Sequence, residues 1–297
     1  MTSPSYIGRF APSPSGPLHA GSLVAAMASY LDARAHDGKW LLRIEDIDEA
    51  RTAPGATDAI MQCLGAFGMR WDGGATFQSR RKALYREALE RLGAHAYACG
   101  CSRREIADSR LGIARDGAAV YPGTCRQGLA PGRTARAIRM RTPDAGSPDD
   151  CIRFEDRWVG PVTQYLALQV GDFVLKRADG FWAYQMAVVV DDADQGVTHV
   201  VRGADLLDST GRQIYLQRML HLTTPRYMHV PVVSSASGEK LSKQTGAQAL
   251  DPLRAEPALI AAASFLGISV RQVNSVDDFW RQAIAAWRNR FVEGRPG

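Results

Sequence analysis

The opening of the chain restricts its fold more than any other stretch. Tyr6 to Phe10 is a short β-prone run, and Ala11 to Pro17 is broken by Pro12, Pro14, Gly16 and Pro17. Ser22 to Ala35 then sets Leu23, Met27, Tyr30 and Leu31 on one helical face, and Lys39 to Ile44 reads as a second strand. This is a βαβ unit and predicts an α/β domain. Its first turn leads straight into a helix N-terminus, where unpaired N–H groups and the positive dipole end make a natural phosphate site.

The rest of the 297 residues fits that frame. Pro54 to Phe67, Lys82 to Leu92 and Gly211 to Leu222 read as helices, and His199 to Gly203 and Met228 to Val233 as strands. In the second helix Leu84, Ala88, Leu89 and Leu92 are spaced for one buried face. From Tyr97 to about Lys176 the texture changes to Gly and Pro punctuation with short β-prone pieces such as Ala137 to Met140, which predicts an inserted subdomain. The expected organisation is a first half of the catalytic domain over 1–96, the insert over 97–176, a second half over 177–250 and a helical segment over 251–297, with helices around Ile260 and Trp287.

A composition of 45% hydrophobic and 23% charged residues excludes a disordered or fibrous chain. No apolar stretch reaches the ~18 residues of a membrane span, and Met1 to Phe10 lacks the basic start and apolar segment of a signal. A cytoplasmic protein with no membrane partner is expected. Lys and Arg outnumber Asp and Glu by 36 to 31, a mild basicity that suits a phosphate-bearing partner.

Two constellations carry chemistry. In Arg9-Phe10-Ala11-Pro12-Ser13-Pro14-Ser15-Gly16-Pro17-Leu18-His19-Ala20-Gly21, prolines and glycines hold the loop, Gly21 permits close approach of a nucleotide, and His19 can donate to a phosphate oxygen. In Gly238-Glu239-Lys240-Leu241-Ser242-Lys243-Gln244, two lysines bracket a serine after a strand. Alone, the first is a Pro-rich turn with an ordinary histidine and the second a solvated loop. Together they resemble the paired arrangement of class I aminoacyl-tRNA synthetases.

The likeness extends along the chain. Arg9 to Ser13, Arg43 to Asp48 with Arg51, Gly68 to Asp72, Gln78-Ser79, Tyr184, Val189 to Asp192, His199 to Thr210 and Lys240 to Gln244 resemble the catalytic domain of glutamyl-tRNA synthetases. Only 53 residues follow Gln244, too few for an anticodon-binding domain of typical size. A chain of that organisation resembles the truncated family of glutamyl-Q tRNA(Asp) synthetases. The resemblance implies a Rossmann-like class I catalytic domain with an inserted zinc-bearing subdomain, a short helical C-terminal part and no anticodon-binding domain. It implies activation of L-glutamate with ATP and transfer to queuosine at the wobble position of tRNA(Asp). Gln244 departs from the pattern, since glutamyl-tRNA synthetases more often carry a basic residue there.

Roles follow residue by residue. Glutamate carries two carboxylates and an ammonium, which call for guanidinium forks and a protein carboxylate. Arg9 and Arg202 fit the first need and Glu45 the second. By resemblance Arg9, Phe10, Ala11, Pro12 and Ser13 line the amino-acid site, Glu45 takes the ammonium, and Tyr184 and Arg202 complete it. His19 and Lys243 are the expected catalytic residues; with Gly21 and Lys240 they are also the ATP site, with Mg²⁺ as the nucleotide's companion. Asp191 and Asp192 are read as fold-stabilising acids.

Five cysteines, an odd number, argue against a disulfide framework. Cys63 and Cys151 stand alone, but Cys99-Gly-Cys101 and Tyr121-Pro-Gly-Thr-Cys125 suit one structural zinc. No histidine lies between Tyr97 and Cys151, so the fourth ligand must be unusual. The family shows Cys-x-Cys followed by Tyr-x-x-x-Cys, which implies Tyr121; Asp116 or water could substitute. For tRNA, Arg80-Arg81-Lys82, Arg103-Arg104, and Arg139 with Arg141 are expected to meet backbone phosphates. A monomer is expected. The competing readings are a minimal glutamyl-tRNA synthetase charging the 3′ end of tRNA(Glu), a silent paralogue that binds tRNA or nucleotide, and a small-molecule nucleotidyltransferase.

Overall fold

A computed structural model describes residues 6–115, 117–233 and 248–294. In chain order the elements are β1 (Ile7–Phe10), α1 (Ala20–Ala35), β2 (Lys39–Ile44), α2 (Ala56–Ala66), β3 (Thr76–Phe77), α3 (Lys82–Leu92), β4 (Ala96–Cys99), α4 (Arg103–Ser109), β5 (Ala137–Met140) and β6 (Cys151–Asp156). There follow β7 (Gly160–Tyr165), α5 (Leu166–Gln169), β8 (Val174–Lys176), α6 (Tyr184–Asp194), β9 (His199–Gly203), α7 (Leu207–Met219), β10 (Arg226–Val230), α8 (Ala255–Phe265) and α9 (Val276–Phe291). They fall into two compact units, and no helix among the described residues is long and apolar enough to cross a membrane.

The first unit comprises Met1–Ser79, Val197–Ala204 and Pro225–Gly297. Parallel pairing joins β1 to β2 and β2 to β3, and on the far side β9 to β10. The Ile7 N–H donates to Thr198 Oγ1 and the Thr198 N–H to the Ile7 carbonyl, both at 2.9 Å, which sets β9 beside β1. The order is therefore β3-β2-β1-β9-β10. The chain steps outward from β1 and later returns on its other side, so its direction reverses between β1 and β9. In an open α/β sheet, ligands bind outside the strand carboxyl ends at such a reversal.

Helix α1 lies against β1, β2 and β9 on one side and α8 and α9 on the other. That position explains why it is apolar nearly all round, with Leu23, Val24, Met27 and Leu31 buried. Its one buried acid, Asp32, accepts from Tyr6 Oη at 2.6 Å and Trp287 Nε1 at 3.0 Å. Helix α9 buries Phe279, Trp280, Ala283 and Trp287 on one stripe, starts at the capping hydroxyl of Ser275, and carries Asp277 and Asp278 in its first turn with Arg288 and Arg290 in its last. The two helices expected after Asp251 thus brace the sheet through α1.

The second unit comprises Arg80–Gly196 and Asp205–Thr224, and so reaches beyond the 97–176 texture change. Helices α3 and α6 belong to it because Arg81 Nε and Tyr85 Oη both donate to buried Asp191, at 2.6 and 2.9 Å. That contact gives Asp191 the stabilising role expected of it. It also turns α3 so that Tyr85, Ala88 and Leu92 point inward, with Leu84 and Leu89 only half-buried. Helix α7 begins at Leu207, not Gly211. Gly211 sits inside it because Gln164 Oε1 accepts its N–H at 2.8 Å, where a Cβ would stand 2.1 Å from that oxygen. Strands β4, β5 and β8 form an antiparallel sheet, and β6 and β7 a hairpin.

Candidate active site

Three of the expected glutamate-site residues stand at the carboxyl edge of the parallel strands. Arg9 is the penultimate residue of β1, Arg202 that of β9, and Glu45 directly follows β2. Arg9 and Arg202 flank the reversal point, and both are at least 95% buried. A guanidinium group withdrawn from water has to be met by hydrogen-bonding or anionic groups.

The loop after β1 is held by backbone bonds to the segment after β2. The Glu45 N–H donates to the Pro12 carbonyl at 3.0 Å and the Ala53 N–H to that of Pro14 at 2.9 Å. Pro12 and Pro14 are buried and Ser13 exposed, while Phe10 packs flat against Trp40 with centroids 6.2 Å apart. Ala11 lies half-buried between them. Gly16 takes φ +146°, a conformation that favours glycine, just before the chain enters α1. The fold thus joins the stretch from Arg9 to Ser13 with Glu45. Arg43, fully buried on β2, places Nη2 3.7 Å from Glu45 Oε1. In the sequence Arg43 is marked only as a lone cation in the apolar run Trp40-Leu-Leu-Arg-Ile.

His19 is the N-cap of α1, in extended conformation, with Gly21 in the first turn. Ser22 Oγ accepts the His19 N–H and donates to the His19 carbonyl, each at 2.7 Å. Ala249 pairs with His19 in a backbone bridge, and the Leu250 N–H donates to the Leu18 carbonyl at 2.9 Å. Lys240, Lys243 and Gln244 lie outside the described residues. The chain that carries them leaves the sheet after β10 and is described again beside His19. Tyr184, half-buried, opens α6 in the second unit.

The thiol cluster belongs to the second unit. The Cys99, Cys101 and Cys125 sulfurs lie within 4.8 Å of one another, with Cys101 Sγ 3.6 Å from Cys125 Sγ. Tyr121 Oη, from a fully buried ring, is 3.4 Å from Cys99 Sγ and 3.3 Å from Cys101 Sγ. Zn–S bonds of about 2.3 Å and a Zn–O bond of about 2.0 Å at tetrahedral angles require roughly 3.7 Å between sulfurs and 3.5 Å from sulfur to oxygen. The Cys101–Cys125 pair and the Tyr121 oxygen with Cys99 and Cys101 have those spacings, and the donor set suits zinc. Asp116 lies outside the described residues.

Local structure holds these donors in place. Ser102 and Glu105 form a reciprocal capping box that starts α4 directly after Cys101. Gly171, at φ +67°, bridges to Tyr121, where a Cβ would meet the Tyr121 backbone at 2.7 Å. Burial, then the neighbouring Cys125 and Cys99, pushes the Cys101 thiol up to about 11. Burial opposes ionisation of Cys99 too, but hydrogen bonds from Tyr121 and Arg139 outweigh it and hold that thiol low. Burial and the three sulfurs push the Tyr121 hydroxyl well above its ordinary value. A bound dication would favour the ionised form of each group.

Two of the expected RNA contacts are corrected. Arg139 is buried: its guanidinium lies 4.0 Å from the Tyr121 ring centroid and Nη1 donates to the Asp172 carbonyl at 2.7 Å. Arg141 is half-buried and donates to the Arg126 carbonyl at 2.8 Å. They pack within the second unit and do not form an exposed pair. Arg81 is engaged by Asp191 and Asp194, whereas Arg80, Lys82, Arg103 and Arg104 are exposed.

The model of the catalytic domain of class I tRNA synthetases (E and Q) matches residues 7–267. A glutamyl-Q tRNA(Asp) synthetase of Janthinobacterium sp. (strain Marseille) is 69% identical over 97% of this chain and 98% of its own. That of Verminephrobacter eiseniae (strain EF01-2) is 63% identical over 98% of this chain and 100% of its own. Among solved structures, a glutamate tRNA ligase from Elizabethkingia meningosepticum in complex with its amino acid superposes with TM-score 0.75. A glutamate-tRNA synthetase from Elizabethkingia anophelis does so with TM-score 0.76. Both are 24% identical, cover 94% of this chain, and are spanned by it over 64% and 66% of their lengths, a likeness of fold.

Proposed function

Because the chain belongs to the class I tRNA synthetases of the E and Q type, within the glutamyl-Q tRNA(Asp) synthetases, we propose that it activates L-glutamate with ATP and passes the glutamyl group to queuosine at the wobble position of tRNA(Asp). The observation that carries this reading is the placement of Arg9, Arg202 and Glu45 at one sheet edge, beside the N-terminus of α1. Two buried guanidinium groups and one carboxylate match the two carboxylates and the ammonium of glutamate.

The chemistry asks little proton transfer of the protein. The attacking glutamate α-carboxylate is ionised at neutral pH, so its oxygen bonds to the α-phosphorus as the bond to pyrophosphate breaks, with no general base. Arg9, Arg202, Glu45 and Tyr184 orient the amino acid, and the loop from Phe10 to Ser13 shapes its walls. His19 donates toward the phosphates at the positive end of α1, Gly21 lets the nucleotide approach, and Lys243 with Lys240 offsets charge on the departing pyrophosphate. Mg²⁺ accompanies the nucleotide and supplies charge neutralisation on the triphosphate. In the second step a hydroxyl of the queuosine cyclopentenediol attacks the adenylate carbonyl and AMP leaves.

Cys99, Cys101, Cys125 and Tyr121 would hold one structural zinc, which would tie the end of β4 and the residues before α4 to the 121–125 turn. The exposed Arg103 and Arg104 on α4 offer charge to RNA phosphates.

The test is incorporation of labelled glutamate, with ATP and Mg²⁺, into two bulk tRNA preparations, one containing queuosine and one from cells unable to make it. Incorporation into the first alone is expected. Equal incorporation into both would overturn the acceptor assignment in favour of the 3′ end.

A further inference from the structure

The segment that leaves β2 is fastened from both sides of the sheet. Toward β1, the Glu45 N–H donates to the Pro12 carbonyl at 3.0 Å. Toward β3, the carboxylate of the next residue, Asp46, takes both donors of Ser79. Its Oδ1 accepts the Ser79 N–H at 2.8 Å and its Oδ2 the Ser79 hydroxyl at 2.6 Å. Both residues are half-buried, and both belong to the first unit, as do Arg9, Glu45 and Arg202.

The second fastening has a local cause. The parallel register of β2 and β3 runs only from Arg43 opposite Thr76 to Ile44 opposite Phe77, because the neighbouring strand turns at Gln78 into a tight helical turn, Gln78–Arg81. The N–H groups that open such a turn have no partner within it, and a carboxylate is a strong acceptor for them. Asp46 thus continues with its side chain the ladder that the backbone has ended. Glu45 stands between the two fastenings, its own N–H tied to the loop after β1 and its neighbour's carboxylate tied to Ser79. Its Cα is held from both sides in the plane of the sheet. The stretch Gln78-Ser79, which lies far from Glu45 in sequence, is thereby coupled to the residue that carries the carboxylate.

We propose that Asp46 is a positioning residue for the amino-acid site: by holding Ser79 it fixes the segment that carries Glu45, and so sets where that carboxylate meets the ammonium of glutamate. This rests on the reading above in which Glu45 takes the ammonium. The experiment is glutamate-dependent ATP–pyrophosphate exchange by the full chain for Asp46→Ala, Asp46→Asn, Ser79→Ala and Glu45→Gln. Glutamate KM, ATP KM, Tm and the inhibition constant of glutarate, the same dicarboxylate without its amine, are measured for each. Asp46→Ala is expected to raise the glutamate KM about tenfold. The ATP KM and the glutarate constant should each move less than about twofold, because neither ligand offers Glu45 an ammonium. Asp46→Asn should recover most of the loss, since its amide accepts the Ser79 N–H and donates to the Ser79 hydroxyl. A glutamate KM within about twofold of the parent in Asp46→Ala, a glutarate constant that rises as far as the glutamate KM, or an Asp46→Asn no better than Asp46→Ala at equal Tm would overturn the inference. Glu45→Gln with an unchanged glutamate KM would overturn it by removing its premise, a result distinct from loss at Glu45 with none at Asp46. Should Asp46→Ala not fold, Ser79→Ala decides, because it deletes one donor and no charge. A glutamate KM raised about threefold with glutarate unmoved is then expected, whereas no change, or an equal change in both, refutes the assignment.

Discussion

His19 and Ala249 are partners in a backbone bridge, and the next pair, Leu18 and Leu250, is joined by an N–H···O bond of 2.9 Å. The chain at Ala249 and Leu250, six and seven residues after Lys243, is thereby fastened to the turn that caps α1. Leu250→Pro deletes that donor, at a cost of about 1 kcal/mol. The ATP KM in pyrophosphate exchange should rise about fivefold with the glutamate KM nearly unchanged. An unchanged ATP KM would show that the bridge does not position the nucleotide loop.

Glu45 serves two partners in this reading, the glutamate ammonium and buried Arg43. Glu45→Gln should therefore raise the glutamate KM and also lower stability, because it removes the carboxylate charge that faces buried Arg43. Arg43→Met in the same background should recover much of the stability and none of the KM. Thermal melts and exchange kinetics on the single and double variants separate the two effects.

The βαβ start, the parallel strands and the bracing helices were legible because each depends on local periodicity and turn chemistry. Arg9, Glu45 and Arg202 were legible as chemistry, since glutamate dictates which groups must meet it. Arg139 was misread because alternation along a strand does not tell which face a neighbouring sheet or loop will cover, and Tyr121 covers that one.

Tyr121 separates a metal ligand from a packing residue. Tyr121→Phe keeps the ring against Arg139 and removes only the oxygen that sits 3.3 to 3.4 Å from two sulfurs. Zinc affinity, measured by competition with a chromophoric chelator, should fall roughly tenfold or more, while Cys101→Ser should also lower bound zinc. Equal affinity in Tyr121→Phe and the parent would assign the fourth position to another group.

Asp172 sets the acid limit of the second unit. It accepts from Arg126 at 2.6 and 2.7 Å, from the Thr142 N–H and hydroxyl at 2.8 Å each, and from Tyr97. Burial alone would raise its carboxyl, but these donors prevail and hold it below the ordinary value. A depressed folded value means the stabilisation is complete above the unfolded value, near 3.9, and is lost as pH falls through the folded one. Tm should hold down to about pH 5 and decline below it. Asp172→Asn should destabilise by about 3 kcal/mol at neutral pH and flatten that decline, as melts across the acid range would show.

The RNA-facing surface is best tested where the side chains are free of the fold. Arg103 and Arg104 are exposed on α4, and the pairing of Arg104 Nε with Asp108 at 3.8 Å is too open to cost much. Arg103→Glu with Arg104→Glu should leave Tm and glutamate-dependent pyrophosphate exchange intact, because both side chains are exposed on α4 and neither is among the residues assigned to glutamate or ATP. Glutamyl transfer to queuosine-containing tRNA should weaken about tenfold or more, with a shallower dependence on salt, since about two phosphate contacts fewer release fewer counterions. An unchanged tRNA KM at low salt would move the docking surface elsewhere, with Arg80 and Lys82, exposed just before α3 and at its first residue, the next to reverse.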